Sequence, residues 1–157
     1  MIQRVQTIFL FLIAVCMGVV LGFPIWSKTG AGAAETAELT AFRLTHTKGV
    51  TSFITPAYYI GILAVVVAGL SLFIIFKYRN RLLQMGLCAV NAILLTIAMG
   101  SVLYLTLYKG KDLFNPGDQG TFTTGFYGLV GALIFNMLAN RFIRRDEKLV
   151  QESKRFR

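Results

Sequence analysis

Charge is missing from most of this chain. Its 157 residues include 16 Lys or Arg, 7 Asp or Glu and one His, yet none of these lies well within four long apolar stretches at residues 7–26, 57–76, 82–108 and 122–143. Arg141, near the end of the last stretch, is the nearest exception. Proton-coupled transport and ion pumping ordinarily use an ionisable group at membrane depth, so this absence weighs against both. Histidine occurs once, at His46 between Thr45 and Thr47, with Glu35 and Glu38 the nearest acids along the chain. A single imidazole so placed is a poor metal site. Cysteine occurs twice, at Cys16 and Cys88, inside apolar stretches and with no CxxC spacing. Both read as small core residues rather than as a redox pair or metal ligands. No serine sits in a recognisable nucleophile elbow or beside a base. Nothing here nominates a catalytic, metal-binding or cofactor-binding residue, and a non-enzymatic protein is expected.

What is present is hydrophobic. Apolar residues make up 55% of the chain and the mean hydropathy is +0.65, and the excess is concentrated in the four stretches. About 20 apolar residues at helical rise cross the ~30 Å hydrocarbon core of a bilayer. The fold expected is therefore all-α and membrane-embedded, a bundle of four transmembrane helices in a single domain. The first stretch exceeds the 7–15 residues usual in a signal-peptide core and is expected to be a retained helix, with Trp26 as an anchor at the headgroup level. Pro56 suits the first turn of the second helix. The third stretch is longer than a bilayer needs, so it should tilt or project on its Tyr104–Tyr108 side.

Orientation follows from the basic residues. Eleven fall on one side: Arg4, Lys77, Arg79, Arg81, Arg141, Arg144, Arg145, Lys148, Lys154, Arg155 and Arg157. The other side holds five: Lys28, Arg43, Lys48, Lys109 and Lys111. The positive-inside rule puts the richer side, with both termini, in the cytoplasm. The net charge of +9 is then a topological signal and an attraction to anionic lipid headgroups, carried by Arg4, Lys77, Arg79, Arg81, Arg144 and Arg145, rather than a sign of nucleic-acid binding.

Two connections face outward. In the shorter, Asn115-Pro116-Gly117-Asp118 is a turn signal. The longer covers residues 27–55. Its Gly/Ala-rich beginning is expected to be mobile. Further on, a pair of β-rich runs, with Leu39, Phe42 and Leu44 before and Val50, Phe53 and Ile54 after, flanks Thr47-Lys48-Gly49, which reads as a small extracytoplasmic β-hairpin. A lone hairpin is marginal in water, so it should rest on the outer ends of the third and fourth helices. In the tail, residues 144–157, and just before it, the apolar Phe142, Leu149 and Phe156 recur every seven residues. The fourth helix should continue there as a solvated anchor or a docking stripe for a partner, with ion pairs Arg144–Glu147 and Lys148–Glu152 on its surface.

Within the helices, Gly18-x-x-x-Gly22 is a small-xxx-small pattern, and Gly125 and Gly128 belong to a run of glycines in the fourth helix. Both allow close approach, within the bundle or against a second copy. Asn91 lies roughly 15 Å along the helix from Arg81 at 1.5 Å per residue. Asn136 lies a little nearer the cytoplasmic end of its own helix, and the two can hydrogen-bond across a helix interface. The partners expected are membrane lipid and another membrane protein or a second copy of the chain.

The two ends carry a resemblance. Residues 1–10 read MIQRVQTIFL and residues 138–157 read LANRFIRRDEKLVQESKRFR. The MIQR-x-QT opening and the ANR…DE-x-LV…R-x-R close, with four apolar stretches and a long first outer loop between them, resemble the small membrane family called domain of unknown function 4293, of Bacteroidota-type bacteria. The resemblance implies a bacterial inner-membrane location and four helices. It implies no catalytic residue, because neither motif is a chemical one. Three function classes remain: a non-enzymatic accessory or scaffold subunit of an envelope complex, a transporter, channel or lipid-handling subunit, and a membrane enzyme using residues of no recognised pattern.

Overall fold

A computed structural model describes residues 3–30, 35–77, 80–110, 113 and 120–155. Four helices carry the chain: α1 (Gln3–Gly22), α2 (Tyr58–Phe76), α3 (Arg81–Tyr104) and α4 (Thr124–Arg155). All four are long and apolar enough to cross a membrane. Each packs on its neighbour in sequence, and α1 closes the ring against α4. The succession is up-down-up-down, so every neighbouring pair is antiparallel. One end of the bundle holds both termini. The other holds a β-sheet.

The interior is apolar. Leu10, Ile13, Met17 and Val20 from α1 meet Ile60, Val67 and Ile74 from α2, Leu95 and Val102 from α3, and Leu129 and Ile143 from α4, all essentially without solvent contact. The outward faces are also apolar: Ile8, Phe11, Ile62, Val65, Ile93 and Met137 are exposed. A helix hydrophobic all round belongs inside something apolar.

The expected hairpin is part of a larger structure. Strands β1 (Trp26–Thr29), β2 (Glu35–Leu39), β3 (Arg43–Lys48), β4 (Thr51–Pro56) and β5 (Thr121–Phe122) form one antiparallel sheet in the order β4-β3-β2-β1-β5. The hairpin signal corresponds to β3 and β4, joined at Gly49, whose φ of 60° is the left-handed conformation that favours glycine. The segment expected to be mobile instead supplies β1 and the start of β2, and residues 31–34 lie outside the described residues. The Asn115-Pro116-Gly117-Asp118 turn signal also lies outside them. Strand β1 carries little signal of its own. Trp26 and Lys28 point inward while Ser27 and Thr29 do not, an alternation too short and too polar to register as a strand.

Trp26 is not an interface anchor. It is 3% exposed, opposite Leu39 on one side and Phe122 on the other. The first helix stops at Gly22, because Pro24 and the pairing of Trp26 take the chain into the sheet. Pro56 ends β4 rather than opening α2. The excess length of the third stretch is spent on a π-helical turn, Leu105–Lys109, beyond α3. There Tyr104 and Tyr108 stack with ring centroids 5.3 Å apart. The fourth helix runs on into the tail as far as Arg155.

Candidate functional site in the helix bundle

Few polar side chains are buried between the helices, and they fall into two layers. The first is near mid-bundle. Asn91 of α3 donates from Nδ2 to Ser71 Oγ of α2 at 3.1 Å and to Asn136 Oδ1 of α4 at 3.3 Å. Asn136 Nδ2 donates in turn to the Cys88 carbonyl at 3.2 Å, and Ser71 Oγ to the Val67 carbonyl at 2.8 Å. Three helices are tied by one buried network. Asn91 Oδ1, fully buried, accepts nothing. An interhelical bond of this kind is worth about 0.6–2 kcal/mol. A double-mutant cycle of Asn91→Leu and Asn136→Leu should give a coupling of about 1 kcal/mol in detergent melting. Additive losses would show that the amides act independently.

The second layer lies nearer the termini. Phe9 stacks on Phe135 and on Phe142, at 6.1 and 5.5 Å, which fixes the register of α1 against α4. One turn before Phe9, Gln6 therefore sits at about the depth of Asn140. Gln6 is 4% exposed and its Nε2 has no hydrogen-bond partner, and neither has Asn140 Oδ1. A donor and an acceptor, both unmet, lie at one level across the α1–α4 seam. Such buried groups cost about 1–3 kcal/mol each when unsatisfied. Gln84, also buried, adds a third amide to this end of the bundle, from α3.

Below this layer α3 is clamped to α4. Arg81 reaches the Asp146 carboxylate at 3.3 Å and the Asp146 carbonyl at 3.0 Å through Nη1. Both side chains are largely withdrawn from solvent. Arg81 is thus engaged within the chain. Arg79 lies outside the described residues, as does the side chain of Arg4. Lys77 lies over the Phe73 ring at 5.3 Å, and Arg144 and Arg145 are exposed. Among the described residues the pairs Arg144–Glu147 and Lys148–Glu152 are not formed. Glu147 accepts from Gln151 Nε2 at 3.1 Å instead. Exposed pairs along a helix gain only about 0.3–0.5 kcal/mol, too little to hold long side chains against solvation.

The glycines divide. A Cβ at Gly125 would lie 2.6 Å from the Pro24 carbonyl oxygen, in the turn after α1, and one at Gly128 3.1 Å from that of Cys16 in α1, so α4 is approached closely at both. Around Gly18 and Gly22 a Cβ would meet nothing within 4 Å. Their pattern makes no close approach inside the chain, because both face outward from the bundle.

At the sheet end, Lys28 is 3% exposed and its Nζ donates to the Gly110 carbonyl at 3.4 Å. A cation there meets the carbonyl-rich end of α3 and its π turn, where the helix dipole favours positive charge. Its alternation with Trp26 was the available signal. His46 lies on β3, with its ring 6.2 Å from that of Phe53.

Chemically, this interior offers neutral amides and hydroxyls. These hold helices in register and pass hydrogen bonds, but they do not exchange protons near neutral pH. Among the described residues no three of His, Cys, Asp or Glu come together as metal ligands would.

The two end motifs of the sequence meet here: Gln6 of the opening segment lies at the level of Asn140 of the closing one, and Asp146 of the latter holds Arg81. A family model described as a domain of unknown function matches residues 2–156, from one motif through the other. The chain belongs to the domain of unknown function 4293 family. In this member of the family the match takes in the sheet as well as all four helices. No match was found among curated proteins.

Proposed function

We propose that this member of the family is a multi-pass protein of the bacterial inner membrane, with both termini cytoplasmic, serving as a non-enzymatic accessory or scaffold subunit of an envelope complex. The two ends of the bundle support the orientation. Tyr58, Tyr59, Tyr104, Tyr108 and Tyr127 are exposed around the sheet end, as in an aromatic belt at the headgroup level. Lys77, Arg81, Arg144 and Arg145 mark the opposite end. From Tyr58 to Lys77 the helical rise amounts to about 28 Å, close to the ~30 Å of a hydrocarbon core.

The observation that carries the subunit reading is strand β4. It is an edge of the sheet, it bears no charge over Thr51–Pro56, and Val50, Phe53 and Ile54 around it are exposed. Natural edge strands are ordinarily guarded by charge, bulges or a cover. With only Pro56 at its end as a guard, this edge is suited to strand addition by a partner's extended segment. Purification from the native host in mild detergent, with a small tag, should bring down a stoichiometric protein partner. Phe53→Lys with Ile54→Lys should release that partner while leaving the melting temperature unchanged. Recovery of the chain alone, or only with an enriched lipid, would overturn the subunit reading. It would favour instead a transport or lipid-handling role, for which the unmet polar atoms of Gln6, Asn91 and Asn140 are the supporting observation.

A further inference from the structure

Where α4 passes the start of α3 it leaves an open groove of about 630 Å³. The floor is apolar, formed by Leu82, Met85 and Gly86. A Cβ at Gly86 would meet nothing within 4 Å, so the floor is open there. The wall is the charged stripe of α4, Arg144, Glu147 and Lys148, with Gln151 beyond.

We infer that this groove holds one phospholipid, its phosphodiester between Arg144 and Lys148 and the start of an acyl chain along Met85 and Gly86. The inference rests on the bilayer orientation proposed above, and four features of the site lead to it. First, polarity is graded along the groove. The apolar floor lies toward the bundle and the cations lie toward the cytoplasm, which is the order of tail and headgroup in the inner leaflet. Second, the cations are available. Neither Arg144 nor Lys148 has a hydrogen-bond or ion-pair partner among the described residues. The neighbouring cation Arg81 does, being held by Asp146.

Third, charge balances. Two cations and Glu147 leave the wall at one net positive charge, which one phosphodiester neutralises. Glu147 is itself restrained by Gln151, so its carboxylate is held by the helix rather than left to fold across the cations. Fourth, spacing fits. Residues four apart on a helix stand about 6 Å apart, and their long side chains converge readily on one phosphate. The Arg81–Asp146 clamp ties the floor on α3 to the wall on α4, which makes the groove a formed site rather than a gap between mobile helices.

The test uses the full chain, purified in mild detergent and measured by native mass spectrometry, with parallel samples in nanodiscs of phosphatidylethanolamine and phosphatidylglycerol. The parent should retain one phospholipid per chain. Arg144→Gln with Lys148→Gln should lower retention roughly tenfold, two cations at the headgroup level being lost. Arg141→Gln with Arg145→Gln removes the same charge from the same helix outside the groove and should retain lipid like the parent. Gly86→Leu keeps both cations, fills the floor, and should also lose lipid without lowering the melting temperature.

Equal loss in both double variants would reduce the effect to bulk charge and overturn the site. Retention unaffected by Arg144→Gln with Lys148→Gln would overturn it as well. Displacement of the bound molecule by millimolar inorganic phosphate would reassign the groove to free anions. Extraction of the parent from membranes by alkaline carbonate, without detergent, would instead overturn the bilayer reading on which the site depends.

Discussion

Replacing Trp26 with alanine is expected to lower stability by about 3–5 kcal/mol, the range for deleting a large buried aromatic. Trp26 is 3% exposed at the head of β1. It stands opposite Leu39 and Phe122, and its indole closes on Gly110 and Gly120, where any Cβ would collide with the ring. One side chain thus joins the sheet, the end of the π turn and the approach to α4. The helices satisfy their own backbone hydrogen bonds and do not need the sheet to persist. The loss should therefore be local: protease should cut residues 27–55 while the helices stay protected, and the thermal transition in detergent should fall. A variant that melts within about 1 kcal/mol of the parent would mean that the sheet is held by its strand pairing alone.

Gly125→Leu is expected to be the second most damaging change, at about 3 kcal/mol from overpacking and the loss of a backbone hydrogen bond. The first turn of α4 is capped by a segment about 100 residues earlier. Gly125 N–H donates to the Pro24 carbonyl at 2.9 Å, Thr123 Oγ1 donates to the same carbonyl at 2.5 Å, and Thr123 N–H donates to the Ile25 carbonyl at 3.0 Å. These bonds meet donors that a helix N-terminus otherwise leaves orphaned. A side chain at Gly125 strikes the carbonyl oxygens of Pro24 and Phe23, which are backbone and cannot rotate aside. Gly128→Leu should cost less, since its nearest neighbours lie 3.1–3.4 Å away and include the side chains of Val19 and Val20. Gly18→Leu should cost little. Melting temperatures in that order would separate packing within the chain from a general intolerance of large residues, and equal shifts at all three positions would refute the assignment.

These two sites share an origin. The turn at Phe23, Pro24 and Ile25 delivers Trp26 into the sheet and at the same time caps α4, so the seam between α1 and α4 and the seating of the sheet depend on one short segment. The free edge at β4 and the groove beside α3 lie at opposite ends of the bundle. The proposed partner protein at one end and the proposed lipid at the other would therefore not compete for surface.

Four helices were legible in the amino-acid order alone. Uninterrupted apolar runs are a local property, and the charges that end them are written beside them. The β3–β4 hairpin was legible too, because Gly49 and its flanking β-rich runs are contiguous. So was the meeting of Asn91 and Asn136, because helical rise converts residue number into approximate depth. Relations between distant segments required the folded chain. Trp26 and Lys28 read as an interface anchor and a loop cation until β1 is seen between β2 and β5. Gly18 and Gly125 look alike in the sequence, and only the direction each faces decides that one is open and the other meets a carbonyl. The clamp of Arg81 on Asp146 joins residues 65 apart, and no periodicity specifies which of the basic residues on that side will be spent within the chain. Periodicity reports which face of a helix a residue occupies, whereas what that face meets is settled only when the helices pack.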